Sequence, residues 1–341
     1  MKKLQPGFIV PSGVYTVNRS KMAGYVPIDS APKVGDIIYG IVETLGQHSQ
    51  LENKSARIHK INTGTKAVFV YGNRYAPDYY EATIPTKMVE VADLSARSGV
   101  ISHVNCKNDR VMSPTRIKLL GHVCDKSGKK LNTLDFPIIK PTKSAKTSKR
   151  SKLILVTGTA MNAGKSQTAA TICWALNTAG YNVRASKVTG TASLKDILFM
   201  EDCGASIVND FSHFGYPSTY MLSEEEILGI FNKTDLKYAN NPSNYWVVEI
   251  ADGILQRETA MLLGSKEVQS RIHKLVFAAY DSMGAIGGVK VLKELYGLRP
   301  DAISGVCSSS PLGLEEMKRF CDIPVFNNMN WDLKKILGCI I

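Results

Sequence analysis

A chain of 341 residues, 44% hydrophobic and 21% charged, has the make-up of an ordinary globular protein long enough to bury two separate cores. It contains no run of 18 apolar residues, which argues against a membrane-spanning helix. The broken apolar patch at Met1 to Pro11 is too short for a signal peptide, so a cytoplasmic location with no membrane partner is expected. The formal charge of +12 is lopsided: residues 1–152 hold 25 Lys and Arg against 11 Asp and Glu, a net of +14, whereas residues 153–341 hold 17 against 19, a net of −2.

The first part reads as a β-rich domain, 1–139. Short β-branched or apolar runs at 34–42, 66–71, 99–104 and 116–123 are separated by Gly, Asn and Pro, and predict a small barrel or sandwich. Between strands, Tyr71, Arg74, Tyr75, Tyr79 and Tyr80 could form a stacking surface for bases or a rim over a nucleotide; rings packed around a turn are the plainer expectation. His103 with Cys106, and His122 with Cys124, would come together only if their strands pair. Their spacing matches no standard zinc motif, so no metal is assigned to them. Seven cysteines without a Cys-x-x-Cys pair fit reduced thiols. The segment 140–152 has many basic residues and no acid, and predicts an exposed, flexible linker.

The most informative stretch follows. An apolar run at Leu153–Thr157 breaks at Gly158, passes through small residues and reaches Gly164-Lys165-Ser166 as a helical pattern begins at Ala169, Ile172, Cys173, Leu176 and Ala179, with Gly180 placed as a cap. A strand, a turn of inward N–H groups and a helix N-terminus make an anion nest. In that nest Lys165 would neutralise the β and γ oxygens of a triphosphate, and the Ser166 hydroxyl would meet Mg²⁺. Gly158, Thr159, Asn162, Ala163, Gly164, Lys165, Ser166 and Gln167 are the candidate nucleotide-binding residues. Five residues separate Gly158 from Gly164, where the usual loop has four.

Further on, strands are predicted near 182–187, 206–209, 245–249, 273–278, 301–306 and 324–326, alternating with helical stretches, one of them over 281–296. This alternation predicts an α/β domain over 153–341, a doubly wound and mostly parallel sheet with ligands at the carboxyl ends of its strands.

The loop Val156 to Ser166 resembles the phosphate loop of dethiobiotin synthetase and its relatives, which has the same five-residue gap after Thr-Gly-Thr. Ala185 to Gly190 is similar to that family's second-strand Lys segment, and Val247 to Gly253 to its Glu-Gly segment. The resemblance covers about residues 152–329. It implies a P-loop NTPase domain using ATP and Mg²⁺, with Lys165 and Lys187 as the catalytic pair, Lys187 facing the transferred phosphoryl group or the acid that receives it. It further implies that Glu249 completes the metal shell with Ser166. A metal-binding Asp is expected after the second strand, where Asp202 and Asp210 compete and Asp202 is taken for the metal set.

Three positions depart from the family: Asp252 for a glycine, Val188 for a proline, and Ser308 where a base-reading Asn is expected; Ser308, Ser309 and Asn327 are left as base-reading candidates. The second lysine that partition-type ATPases place early in the loop is replaced by Ala160. The implied activity is that of an ATP-dependent ligase, synthetase or ATPase that phosphorylates or ligates a small acid. The alternative is a nucleotide-gated binding protein whose basic first domain grips nucleic acid or an acidic partner; a homodimer is the other partner to consider.

Overall fold

The computed structural model describes residues 1–140 and 149–341, so the central part of the basic linker, 141–148, lies outside the described residues. Contacts divide the chain into two units. The first holds Met1–Lys140, Gly190–Lys195 and Asp210–Met221; the second holds Pro141–Thr189, Asp196–Asn209 and Leu222–Ile341.

The first unit contains β1 (Gly24–Val26), β2 (Ile37–Thr44), β3 (Gln50–Glu52), β4 (Ile58–Lys60), β5 (Lys66–Tyr71), β6 (Arg74–Tyr75), β7 (Tyr80–Thr83), β8 (Val91–Leu94), β9 (Val100–Lys107) and β10 (Thr115–Cys124). Strand β10 pairs with β2, β2 with β5, β5 with β9, and β8 with both β9 and β10, so five strands close on themselves as a small barrel. Strand alternation then sorts the side chains. Ile38, Phe69, Leu94, Ile101 and Ile117, from all five strands, form one cluster inside the ring. Their neighbours Ile37, Tyr39, Val68, Val70 and Val123 point the other way and pack under Phe8, Val10, Val14 and Val17 of the N-terminal segment.

Two segments from later in the chain complete this unit. Thr191 bridges Ser218, Leu194 N donates to Glu52 Oε1 (2.9 Å), Thr133 Oγ1 donates to Gly215 O (2.6 Å), and Ile138 N donates to His213 O (2.8 Å).

The tyrosine-rich segment is turned onto protein partners. Tyr71 and Tyr80 are buried, Tyr75 packs on Tyr220 with ring centres 5.5 Å apart, and Tyr79 stacks on His48 at 5.7 Å. The two His/Cys pairs stay apart, because β9 and β10 each pair with β8 rather than with each other. His103 and Cys106 are exposed while His122 and Cys124 are buried. Among the described residues no group of three or more His, Cys, Asp or Glu could hold a metal ion by itself.

His48 gives this unit a pH dependence. Its Nε2 lies 3.0 Å from Ser95 O, and burial, aided by the charge of Arg74, pushes its imidazole down to about 4. The unfolded chain therefore takes up a proton at pH values where the folded one does not, so stability is complete above pH ~6.5 and is lost as pH falls toward about 4. Denaturant unfolding at pH 7.5 and 5.0 should show His48→Gln losing about 1–2 kcal/mol less than the parent between the two conditions. Equal losses would remove His48 from this account.

The second unit contains β11 (Lys152–Gly158), α1 (Lys165–Thr178), β12 (Val183–Lys187), α2 (Leu194–Asp202, Leu194 and Lys195 belonging to the first unit), β13 (Ile207–Asp210), α3 (Glu224–Tyr238), β14 (Tyr245–Glu249), α4 (Arg257–Gly264), α5 (Lys266–Arg271), β15 (Ile272–Ala278), α6 (Ser282–Tyr296), β16 (Ala302–Ser304), α7 (Pro311–Lys318) and α8 (Leu333–Ile340). The sheet order is β13-β12-β14-β11-β15-β16, and β11, β12, β14, β15 and β16 are joined by parallel ladders. Near-continuous apolar runs such as Leu153 to Val156 and Trp246 to Val248 are fully buried, as a parallel sheet covered on both faces requires.

From β11 the chain crosses toward β12, and from β14 it crosses the opposite way to β15. Right-handed crossovers therefore place α1 on one face and α4 to α6 on the other. The expected strand at 324–326 is reduced to a single bridge between Val325 and Ile303, because Pro324 removes a backbone donor there. No helix among the described residues is long and apolar enough to cross a membrane.

Candidate nucleotide site

Strand register brings the site together before any side-chain contact is considered. Glu249 is the Cα partner of Val156 on one side and of Lys187 on the other, so the carboxyl ends of β14, β11 and β12 share one edge. The turn after β11 is pinned there: Thr159 N donates to Ala278 O (2.9 Å), Ile254 N to Gly158 O (3.0 Å) and Val306 N to Ala163 O (3.1 Å). Gly164 caps α1 in the left-handed region, with φ 89°. A side chain there would also come within 3.2 Å of Gly305 Cα, so glycine is required. Helix α1 then starts at Lys165 with its free N–H groups facing the turn.

Lys165 is buried and its ammonium donates to Ala160 O at 2.7 Å, folding the side chain back over the loop. Ser166 Oγ donates to Glu249 Oε1 at 3.0 Å and lies 3.5 Å from Asp196 Oδ1. Lys187 pairs closely with Asp196 Oδ2 and lies 3.5 Å from Glu249 Oε1. The structure thus brings Lys165, Ser166, Lys187 and Glu249 to one edge of the sheet.

It does not bring Asp202 to them. Asp202 is exposed at the far end of α2, ~9 Å along the helix axis from Asp196, the carboxylate that meets Ser166 and Lys187. Asp210 belongs to the first unit, where it caps the short turn Phe211–Phe214 and contacts His213 Nδ1 at 3.0 Å.

Other candidates serve the frame of the loop. Gln167 Nε2 donates to Asn328 O (3.1 Å), and Asn328 Nδ2 donates to Gly164 O and Thr168 Oγ1 at 3.3 and 3.2 Å. Ser308 Oγ donates to Gly305 O (2.6 Å), and Asn327 Oδ1 accepts from the N–H groups of Met329 and Asn330. Ser308 and Asn327 thus spend these polar groups on loop structure.

Burial sets the charges. It pushes the Lys165 ammonium down, an effect that Asp252 and Glu249 oppose and Lys187 reinforces. Burial also works against the charge on Lys187, but Asp196 and Glu249 together overcome it and hold that ammonium well above its ordinary value. Glu249 is pushed up by burial; Lys187 opposes that shift and Asp196 adds to it. Its Oε2 is buried with no hydrogen-bond partner, as are the hydroxyls of Thr157, near the end of β11, and Thr159 on the loop. An uncompensated carboxylate oxygen beside a serine hydroxyl and a second carboxylate is a hard-oxygen donor set that fits Mg²⁺.

No family model and no curated protein matches this chain. Among solved structures it is similar to the signal recognition particle receptor FtsY from Elizabethkingia anophelis in complex with GDP, at 12% identity and a TM-score of 0.36 over 61% of this chain and 69% of that one. A second structure of that receptor gives 13% and 0.35. A DUF1611 family protein from Anabaena variabilis gives 13% identity and a TM-score of 0.42 over 60% of this chain and 63% of that one. On its own topology, strand β11, the pinned turn and α1 give the second unit the build of a P-loop NTPase domain, an α/β fold joined to a β-rich unit.

Proposed function

We propose that this chain binds a nucleoside triphosphate with Mg²⁺ and transfers or hydrolyses its γ-phosphoryl group. The observation that carries the reading is the convergence of Lys165, Ser166, Lys187, Glu249 and Asp196 at the carboxyl edge of the sheet, beside the start of α1. Phosphoryl transfer needs little covalent work from a protein; positioned positive charge supplies most of the rate. Lys165 would hold the β and γ oxygens, and Lys187, kept firmly charged, would absorb charge as the bond to the leaving group breaks. Ser166, Glu249 and Asp196 would hold Mg²⁺, which when bound neutralises phosphate oxygens.

The resemblance to dethiobiotin synthetases supports two finer readings: ATP as the nucleotide and a small acid as the second substrate. Titrating the purified protein with ATP and GTP, each with and without Mg²⁺, tests the first level. Saturable, Mg²⁺-dependent binding is expected, tighter for ATP; no binding of either nucleotide would refute the proposal. Release of ADP stimulated by one member of a panel of small acids would support the second level.

A further inference from the structure

We propose that Asp252 accepts the proton of the group that attacks the γ-phosphorus, and that this group is therefore neutral and protic: water, a hydroxyl or an amine, rather than a carboxylate. The inference rests on the phosphoryl-transfer reading above and narrows its acceptor. A small acid remains compatible with it if the acid presents such a hydroxyl or amine.

The placement of Asp252 begins with the backbone. Beyond β14 the chain stays bonded to the end of β11, where the loop begins: Ile250 N donates to Val156 O and Ile254 N to Gly158 O, both at 3.0 Å. Between these ties, Ala251 is gripped from both sides, its N–H donating to Thr189 Oγ1 and its carbonyl accepting from Thr259 Oγ1, each at 2.8 Å. Gly253 lies so close under the loop that a Cβ on it would sit 2.4 Å from Thr159 O and 3.2 Å from Ala160 Cα. Asp252 is the residue between these fixed points, and it is half-buried.

Its neighbour in charge is Lys165. Of the carboxylates around that ammonium Asp252 acts on it most strongly, and it also acts on Lys187. Glu249 and Asp196 are engaged with Ser166 and Lys187, on the side that suits a metal. Asp252 precedes Gly253, which packs under Thr159 and Ala160, the same turn over which Lys165 folds back to donate to Ala160 O; under the proposed reading the γ-phosphoryl would lie against Lys165.

A carboxylate facing a γ-phosphate repels a second anion but welcomes a hydrogen-bond donor between them. A substrate carboxylate would bring a third negative group to this point, whereas an O–H or N–H donates to Asp252 and aims its lone pair at phosphorus. As the acceptor O–P or N–P bond forms, the acceptor's proton passes to the Asp252 carboxylate. The bond from the γ-phosphorus to the bridging oxygen breaks, and the nucleoside diphosphate leaves with that electron pair.

Water is the acceptor that needs no identification, so the test is single-turnover release of γ-phosphate from MgATP and MgGTP by excess full-length protein. Asp252→Asn should keep nucleotide affinity within about threefold while lowering the release rate roughly 100-fold or more, and Asp252→Glu should recover part of that rate. Melting curves on both variants report their folding.

Unchanged release by Asp252→Asn overturns the inference and leaves nucleotide binding standing, as does a wild-type protein that binds nucleotide and releases no phosphate. A loss of rate restored by excess Mg²⁺ makes Asp252 a metal ligand and also overturns it. A wild type that binds no nucleotide removes the parent reading itself.

Discussion

Lys165→Ala should reduce triphosphate affinity by about 2–5 kcal/mol, a fall of roughly 30-fold to more than 1,000-fold, and abolish phosphoryl release. Lys165 is 3% exposed, so its charge is little screened by water, and its ammonium donates into the loop at Ala160 O. Without it, the triphosphate would meet Asp252 and Glu249 with one cation fewer, and like charge would oppose binding as well as catalysis. Lys165→Met keeps the packed stem and separates charge from volume. The methionine variant should melt close to the parent yet bind as poorly as the alanine one. Binding within threefold of the parent by both variants would show that the loop amides alone hold the ligand.

Asp235→Ala should cost the second unit about 3–5 kcal/mol in denaturant unfolding, without acting on the nucleotide residues directly. Asp235, on the last turns of α3, is 1% exposed and sits between two arginines. Arg271, closing α5, donates to both of its oxygens at 2.9 to 3.2 Å and also to Ser151 O at 3.1 Å. Arg150 Nη2 lies 2.5 Å from Asp235 Oδ2 as a charge contact whose angles are not those of a hydrogen bond. One carboxylate therefore joins α3, α5 and the entry to β11, and its removal leaves two largely buried cations facing each other. Asp235→Asn would keep the volume and lose the charge, and should recover only part of the stability. A loss below about 1 kcal/mol for the alanine variant would show that water reaches the arginines and that this cluster is a surface feature.

The second unit was legible in the sequence wherever one chemical signal dominates. Leu153 to Val156, a short apolar run that breaks at a glycine, fits a strand buried on both faces, and Gly164-Lys165-Ser166 announces the turn and the helix start. Glu249, ending an apolar run, was visible for the same reason. Asp196 was not, because its role comes from the direction in which α2 leaves the sheet, and no motif encodes that. A faint signal existed: it is the acid in the first turn of α2, nearer in sequence to Lys187 than Asp202 or Asp210.

In the first unit, the four long strands could be read from their β-branched runs. The short ones, such as β6 at Arg74–Tyr75, have too few residues to show alternation. The closure through β8 depends on its pairing with β10, Ala92 with Ile117, between residues far apart in the chain, which local patterning does not carry.

The assignment of Gly190–Lys195 and Asp210–Met221 to the first unit bears on how the protein is made. Synthesis proceeds from the N-terminus, and domains generally fold as they emerge. The barrel strands are complete once Cys124 has been added, but Thr133, Glu52 and Ile138 gain their partners at Gly215, Leu194 and His213 only much later in translation. The nascent barrel must therefore persist unfinished while β11, α1 and β12 leave the ribosome, and a protein cut after Lys140 would keep its strands yet lack the two segments that complete them.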